Sequence, residues 1–255
     1  MSSSANTQRF SDRVENYIRY RPSYPAGVIA TLREKAGLHA SAAVADIGSG
    51  TGIFSQLLLP HCAQVYGIEP NEPMRSAGER LLAGNPNFTS LVGTAEKTGL
   101  PAASVDLVTA AQAFHWFDIP ACRREFSRIL RNGGYVALIW NERLVEATPF
   151  LADYESLLKK YATDYEQVNH ANIDAAALSA FYAPNGYSVT EFPNSQKFDY
   201  AGLKGRVLSS SYAPNIGHPN HEIMMRGLKA LFQRHQQDET VTFQYTTKLY
   251  IGRCG

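Results

Sequence analysis

The chain has 255 residues, 44% hydrophobic and 18% charged, a globular balance that excludes an extended, highly charged and disordered polypeptide. With 24 Lys and Arg against 23 Asp and Glu the formal charge is +1, so no global basic field attracts nucleic acid or an anionic membrane. Cys62, Cys122 and Cys254 are far apart with no CxxC spacing, which indicates neither a zinc ligand set nor a disulfide framework and fits a reducing compartment. The start Met-Ser-Ser-Ser-Ala-Asn lacks the basic and apolar regions of a leader, and no apolar run approaches a membrane span. A cytoplasmic protein with a frayed N-terminus of about five residues is expected, folded as one domain at this length.

In chain order, residues 25–36 predict a helix, with Pro25 at a tolerated early position, Val28, Ile29 and Leu32 on one side and Gly37 as its stop. Ala43-Val-Ala-Asp-Ile47 is a short apolar strand, followed by the glycine turn 48–52 and a helix carrying Ile53, Phe54, Leu57 and Leu58. Residues 65–68 predict a second buried strand, and Asn71 caps a helix with Met74, Ala77, Leu81 and Leu82. Residues 89–93 and 105–110 predict strands three and four. Asp118 caps a helix with Cys122, Phe126, Ile129 and Leu130 on one face; Asn132-Gly-Gly134 ends it, and residues 135–140 form strand five.

Strands alternating with helices at this spacing require crossovers, because two parallel strands cannot be joined by a hairpin. A doubly wound α/β fold follows, with a mostly parallel seven-stranded, Rossmann-like sheet and helices on both faces. Beyond Trp140 the pattern loosens: helices near 151–161, 175–181 and 221–235, an alternating run at 187–192, and a half-exposed antiparallel strand at 241–251. This half extends the same sheet and carries helical insertions.

In an open parallel sheet, ligands bind over the first strand-to-helix turn at the carboxyl ends of the strands. Here that turn is Asp46-Ile-Gly-Ser-Gly-Thr-Gly52, where glycines allow a sharp turn and close backbone approach. The dinucleotide fingerprint requires a third glycine at position 53, which is Ile53, and no tyrosine and lysine pair for hydride transfer is recognisable, so a nicotinamide oxidoreductase is disfavoured. Glu69, directly after the second strand, is placed to accept hydrogen bonds from both hydroxyls of a ribose. A glycine turn with this acid indicates a nucleoside.

These motifs resemble those of the class I S-adenosylmethionine-dependent methyltransferases, whose first motif is an acid, one residue, then G-x-G-x-G. Asp46, Gly48, Gly50 and Gly52 match that motif, Glu69-Pro70-Asn71 the ribose acid with its helix cap, and Gly93-Thr-Ala95-Glu96 the adenine-side loop. Residues 111–117 and 131–139 are similar to the pocket motif and the turn and strand after it. Tyr17-x-x-Tyr20-Arg21-Pro, Gln112-x-x-His115-Trp116 and Ser209-Ser-Ser211-Tyr212-x-Pro resemble the small-molecule branch that includes trans-aconitate methyltransferase.

The resemblance implies S-adenosylmethionine held by Asp46, Gly48, Gly50, Gly52, Glu69, Pro70, Ala95, Glu96 and Gln112. It implies a small-molecule methyl acceptor, carboxylic acids among the branch's substrates. It also divides the single domain into an N-terminal lid and helix (1–37), a cofactor-binding core (38–145) and substrate-side insertions with closing strands (146–255). A carboxylate acceptor is already ionised near neutral pH and needs no base; an alcohol or amine would need one, and His115 is the catalytic candidate, against a bland role in packing or backbone hydrogen bonding. Arg21 and Arg143 are candidate carboxylate clamps or else structural ion pairs. Tyr17, Tyr20 and Tyr24 either form a water-excluding lid or anchor the segment. Trp116 lines the pocket or packs the core, and Ser211 and Tyr212 donate to the acceptor or cap a turn. Asp46 touches the ligand or only organises the glycine loop. A monomer or weak dimer is expected, with no metal, nucleic acid or membrane partner; a non-catalytic S-adenosylmethionine-binding protein is the alternative.

Overall fold

A computed structural model describes residues 13–165 and 175–254; the expected frayed N-terminus lies outside them. After helix α1 (Val14–Tyr20) and helix α2 (Ala26–Lys35), strand β1 (Ala43–Ile47) enters the sheet. It is followed by α3 (Ile53–Leu58), β2 (Gln64–Ile68), α4 (Glu72–Leu81), β3 (Phe88–Leu91), β4 (Val105–Ala111), α5 (Ile119–Ile129) and β5 (Leu130–Arg143). The second half contributes α6 (Pro149–Tyr161), α7 (Ala175–Tyr182), β6 (Tyr187–Phe198), α8 (Tyr200–Leu208), α9 (Pro219–His235) and β7 (Val241–Gly252).

The seven strands lie in the order β3-β2-β1-β4-β5-β7-β6. Strands β1 to β5 pair in parallel, whereas β7 runs antiparallel between β5 and β6. The chain steps outward from β1 to β2 and β3, then returns to place β4 on the other side of β1. That reversal opens a crevice above the carboxyl ends of β1 and β4, the ligand position of open α/β sheets.

Local chemistry accounts for the element ends. Asn71 Oδ1 accepts from Met74 N at 3.0 Å and Asp118 Oδ1 from Ala121 N at 3.0 Å, each satisfying a first-turn amide that the helix cannot. Gly37 stops α2 in the left-handed region, with φ +68°. The two faces of the sheet bury separate apolar clusters: Ile68, Val108, Phe114, Phe126 and Phe181 on one, Val28, Leu32, Leu58, Leu107 and Ile139 on the other. A third cluster, from Leu151 and Tyr154 through Met224 to Phe243, joins α6, α8 and α9 to β7.

The structure departs from expectation in three places. Strand five begins at Leu130, which pairs with Val105, and the 131–134 stretch is a register irregularity inside the strand rather than a loop before it. The alternating run at 187–192 continues to Phe198, where Pro193 is tolerated because β6 is an edge strand. Helix α8 was not expected: Gly202 and Gly205 lower helix propensity, but Cβ atoms there would stand 2.9 Å from Phe198 Cδ1 and 2.0 Å from Tyr20 Cε2. Close packing of α8 against β6 and α1 demands the two glycines.

Candidate active site

The loop after β1 is drawn tightly over the sheet. Gly48 and Ser49 donate backbone N–H bonds to Ile68 O at 2.9 and 3.2 Å, and Gly48 and Gly50 have φ of +66° and +55°. A Cβ on Gly48 would meet Ala113 Cβ at 2.6 Å, so side chains are excluded from the face of this turn. Glu69 ties the turn to the second strand: Oε2 accepts from Gly50 N at 2.9 Å and Oε1 from Asn71 N at 2.8 Å. Each oxygen retains a second acceptor site, so the carboxylate can still receive two ribose hydroxyls. Burial raises the Glu69 pKa, against the pull of the Asn71 and Gly50 amides.

Beside this acid lies a narrow cleft of about 160 Å³, lined by Glu69, Pro70, Met74, Ala95, Glu96, Ala113 and Phe117 among others. Its apolar walls suit a flat heterocycle. Glu96 Oε1 accepts from Asp118 N at 2.9 Å, so one carboxylate oxygen is engaged by the start of α5. Across β4, Gln112 takes the left-handed conformation at φ +58°, uncommon for a residue with a side chain, and its Nε2 donates to Asn141 O at 3.1 Å. Asp46, almost wholly buried, accepts from Ser55 Oγ at 2.6 Å and Thr109 Oγ1 at 2.8 Å. Burial pushes its carboxyl up to about 6 despite those bonds.

The cleft opens into a larger chamber of about 630 Å³, with Gly48, Gly50, Tyr17, Ala111, Gln112 and Trp116 in both walls. Its far end gathers Arg21, Arg143 and Arg206 from three distant parts of the chain, with Glu155, Tyr165, Tyr212 and Tyr245. Arg143 Nη2 pairs with Glu155 Oε2 at 2.5 Å and donates to Tyr165 Oη at 3.0 Å. Arg21 Nη2 donates to Ser209 O at 2.9 Å. Arg206, buried, donates to Ser210 Oγ at 3.0 Å and Tyr245 Oη at 3.4 Å, with no carboxylate among its described ion pairs. Arg21 Nε and Arg143 Nη1 are buried without a hydrogen-bond partner among the described residues. Burial and then Arg206 act to lower the Arg21 pKa.

Helix α1 roofs both compartments. Val14, Tyr17 and Ile18 pack with Met74 and Ala77 of α4 on the side of the narrow cleft. The Arg13 guanidinium donates to the carbonyls of Ser210 and Ala213, the latter at 2.6 Å, and to Asn215 Oδ1 at 2.6 Å.

Most residues named from the sequence line these two cavities. Glu69, Pro70, Ala95 and Glu96 lie in the cleft; Asp46, Arg21, His115, Arg143, Ser211 and Tyr212 lie in the chamber; Gly48, Gly50, Gln112, Tyr17 and Trp116 lie in both. Two do not. Tyr20 is wedged over Gly205 and edge-on to Phe198 at 6.3 Å, anchoring α1, and Gly52 faces Leu82 and Gly78 behind the loop. Sequence reasoning did not single out Arg206, Glu155, Tyr165, Tyr245 or Asn141. Arg206 sits on the unexpected helix, and Tyr245 reads as the buried phase of an alternating strand; no local motif marks either.

The sheet order, the glycine turn after β1 and the acid after β2 that is bonded to it form the ligand crevice of an open α/β fold. Residues 45–138 match the family model described as a methyltransferase domain. An uncharacterised methyltransferase of Mycobacterium tuberculosis is 38% identical over 134 residues, 52% of this chain and 52% of the relative. One from Schizosaccharomyces pombe is 27% identical over 250 residues, 94% of this chain and 95% of the relative. Among solved structures, a protein described as a type II methyltransferase from Anaeromyxobacter dehalogenans superposes with TM-score 0.66 at 22% identity, covering 92% of this chain and 98% of that one. The chain spans about half the length of the first curated relatives it matches. Residues 45–138 are thus similar to a methyltransferase domain, and the whole chain has the fold of the solved methyltransferase structure it superposes on.

Proposed function

We propose that the protein methylates a carboxylate of a small organic acid, using S-adenosylmethionine held in the cleft and the adjoining chamber. The observation that carries this reading is the arginine cluster: Arg206, buried, and Arg21 and Arg143, half-buried, line one chamber in which Glu155 is the carboxylate paired with them among the described residues, and Arg21 Nε and Arg143 Nη1 have no hydrogen-bond partner among those residues. Buried charge without a counter-charge is costly, so the chamber favours an anionic ligand. Planar guanidiniums suit a carboxylate, to which each can donate two parallel bonds.

The cradle fits the cofactor. The glycine turn lines both cavities without side chains at Gly48 and Gly50, and Glu69 keeps acceptor capacity for two hydroxyls. Glu69 would hold the ribose, Ala95 and Glu96 the edge of the base, and Asp46 and Gln112 the side facing the chamber. When bound, the sulfonium supplies an activated methyl group. The protein's task is to bring an acceptor oxygen in line with it and exclude water, and Arg21 and Arg143 orient the acid while Tyr17 and Trp116 close the shared wall. A carboxylate is ionised near neutral pH, so no base is needed, and His115 serves as a wall. We take the working form as a cytoplasmic monomer or weak dimer, with no nucleic-acid or membrane partner; no described helix is long and apolar enough to cross a membrane.

The test incubates purified protein and S-adenosylmethionine with a panel of small carboxylic acids and the matching alcohols and amines, read by mass spectrometry. Methyl esters from acids alone are expected, with Arg21→Gln raising the acceptor KM at least about tenfold while cofactor Kd is unchanged. Glu69→Ala is expected to weaken cofactor binding by at least about tenfold, roughly 1.4 kcal/mol. An acceptor found only among the amines or alcohols overturns the carboxylate reading. Binding of S-adenosylmethionine indifferent to Glu69 overturns the cofactor site.

A further inference from the structure

The segment that carries Arg21 from α1 to α2 is a thin partition. Arg21 and Tyr24 line the chamber of about 630 Å³ on one side and, with Ser23 and Pro25, an outer groove of about 780 Å³ on the other. Packing holds its two ends: Tyr20 lies against Gly205 and Phe198, and Tyr24 stands edge-on to Phe54 with centroids 5.0 Å apart. Between those ends the chain runs with a cavity on either side, so hydrogen bonds rather than packing fix its path. Two asparagines supply them. Ser23 O accepts from Asn194 Nδ2 at 2.8 Å and from Asn141 Nδ2 at 3.3 Å, which occupies both lone pairs of the carbonyl.

Asn141, near the end of β5, is buried and its amide is held one way round. Oδ1 accepts from Thr247 Oγ1 at 2.5 Å and from Asn194 Nδ2 at 3.1 Å, so Nδ2 is the atom left for the connector. Asn194 Oδ1 accepts from Ser195 N at 2.8 Å, which orients the second amide in the same way. Through its main chain Asn141 does something else: its O accepts from Gln112 Nε2 at 3.1 Å, in the wall shared by the two cavities. From Ser23 back to Arg21 the chain is stiff. Pro22 fixes its own φ and keeps the residue before it out of the helical region, and Arg21 is extended, with φ −75° and ψ 143°. The guanidinium donates from Nη2 to Ser209 O at 2.9 Å and lies over the Tyr17 ring at 4.8 Å, with Nε left without a partner among the described residues. A shift of Ser23 therefore reaches Arg21 with few free torsions to absorb it.

We propose that Asn141 and Asn194 are positioning residues of the acceptor site: their two amides pin Ser23 and so set where Arg21 stands in the chamber. Gln112, held by the Asn141 main chain, stays in place whatever side chain position 141 carries. The role deepens the carboxylate reading above and rests on it only for what Arg21 grips. What matters is the N–H donor rather than the bulk of the side chain. In Asn141→Asp the shape and both bonds to Oδ1 survive, but a carboxylate oxygen replaces the donor, faces the Ser23 carbonyl and drives the connector away. Asn141→Ala removes the bond without adding repulsion. Packing alone gives the opposite order of damage, because alanine leaves the larger cavity.

The test compares the whole protein with Asn141→Asp, Asn141→Ala and Asn194→Asp at about pH 8, where a new carboxyl is ionised. Order parameters of the Ser23 and Tyr24 amides, from amide nitrogen relaxation, need no acceptor: about 0.85 is expected in the wild type and below about 0.6 in both aspartate variants. Calorimetry then measures S-adenosylhomocysteine and, beside it, succinate. Succinate affinity is expected to fall at least about tenfold in Asn141→Asp and less in Asn141→Ala, while the nucleoside Kd is unchanged. Unchanged order parameters overturn the pin. Alanine as damaging as aspartate, or a nucleoside Kd that weakens in step with succinate, reduces the pair to ordinary packing and overturns the proposal. Order parameters that fall while succinate affinity holds break the link to Arg21 and overturn it too. Should Asn141→Asp not fold, Asn194→Asp, at a half-buried position, supplies the same readings. Order parameters that fall as expected in variants of a wild type that binds no succinate support the pin and count instead against the carboxylate acceptor.

Discussion

Asp46 shows how one side chain can be legible in sequence and yet have its chemistry set by the fold. Its position before Gly48 marked it for the cofactor, whereas its two hydroxyl donors come from α3 and β4. Burial holds its pKa near 6, above the 3.8 of an exposed aspartate, so the folded protein binds more protons than the unfolded chain between those values. Stability due to Asp46 is therefore greatest below about pH 4 and is lost as pH rises toward 6, by about 3 kcal/mol at most. The stability difference between wild type and Asp46→Asn, from denaturant unfolding at a series of pH values, should decline across that window and level off above it. A flat difference would show that Asp46 ionises freely.

At the scale of elements, the site depends on how α1 and α8 meet. Tyr20 lies so close to Gly205 that any side chain there must displace the ring. Gly205→Ala is expected to cost about 1–3 kcal/mol through overpacking, despite alanine's better helix propensity. It should also lift α1 from α8 and increase hydrogen exchange at residues 208–215, where Arg13 fastens the loop carrying Ser211 and Tyr212. Unchanged exchange with unchanged stability would separate the lid from the loop. The capped helices α4 and α5 were readable because Asn71 and Asp118 act within three residues of themselves. Helix α8 was not, because the reason for its glycines lies across the molecule in Tyr20 and Phe198.

For the whole molecule, the two cavities are one excavation with a shared wall: Tyr17, Gly48, Gly50, Ala111, Gln112 and Trp116 border both. A ligand in the cleft orders walls that the chamber also uses, so binding at the two should be coupled. Saturation with S-adenosylhomocysteine is expected to tighten succinate binding by about fivefold or more, the lower range of ordinary coupling, and calorimetry with and without the nucleoside measures it. Equal affinities would mean the compartments act independently.

What the sequence determined by itself was whatever acts between near neighbours. The G-x-G-x-G turn, the acid after the second strand, the helix caps and the alternation of strand and helix together specified a doubly wound sheet with a glycine turn over β1 tied to that acid. Each depends on backbone conformations or bonds spanning a few residues, so its reason is written locally. What the tertiary structure alone decided was the make-up of the larger chamber. Arg21 and Arg143 stand in the sequence as separate candidate clamps with nothing local to join them, and Arg206 carries no local signal at all. Only when α1, β5 and α8 converge do the three guanidiniums line one cavity, where groups far apart in the chain can grip a single anionic ligand.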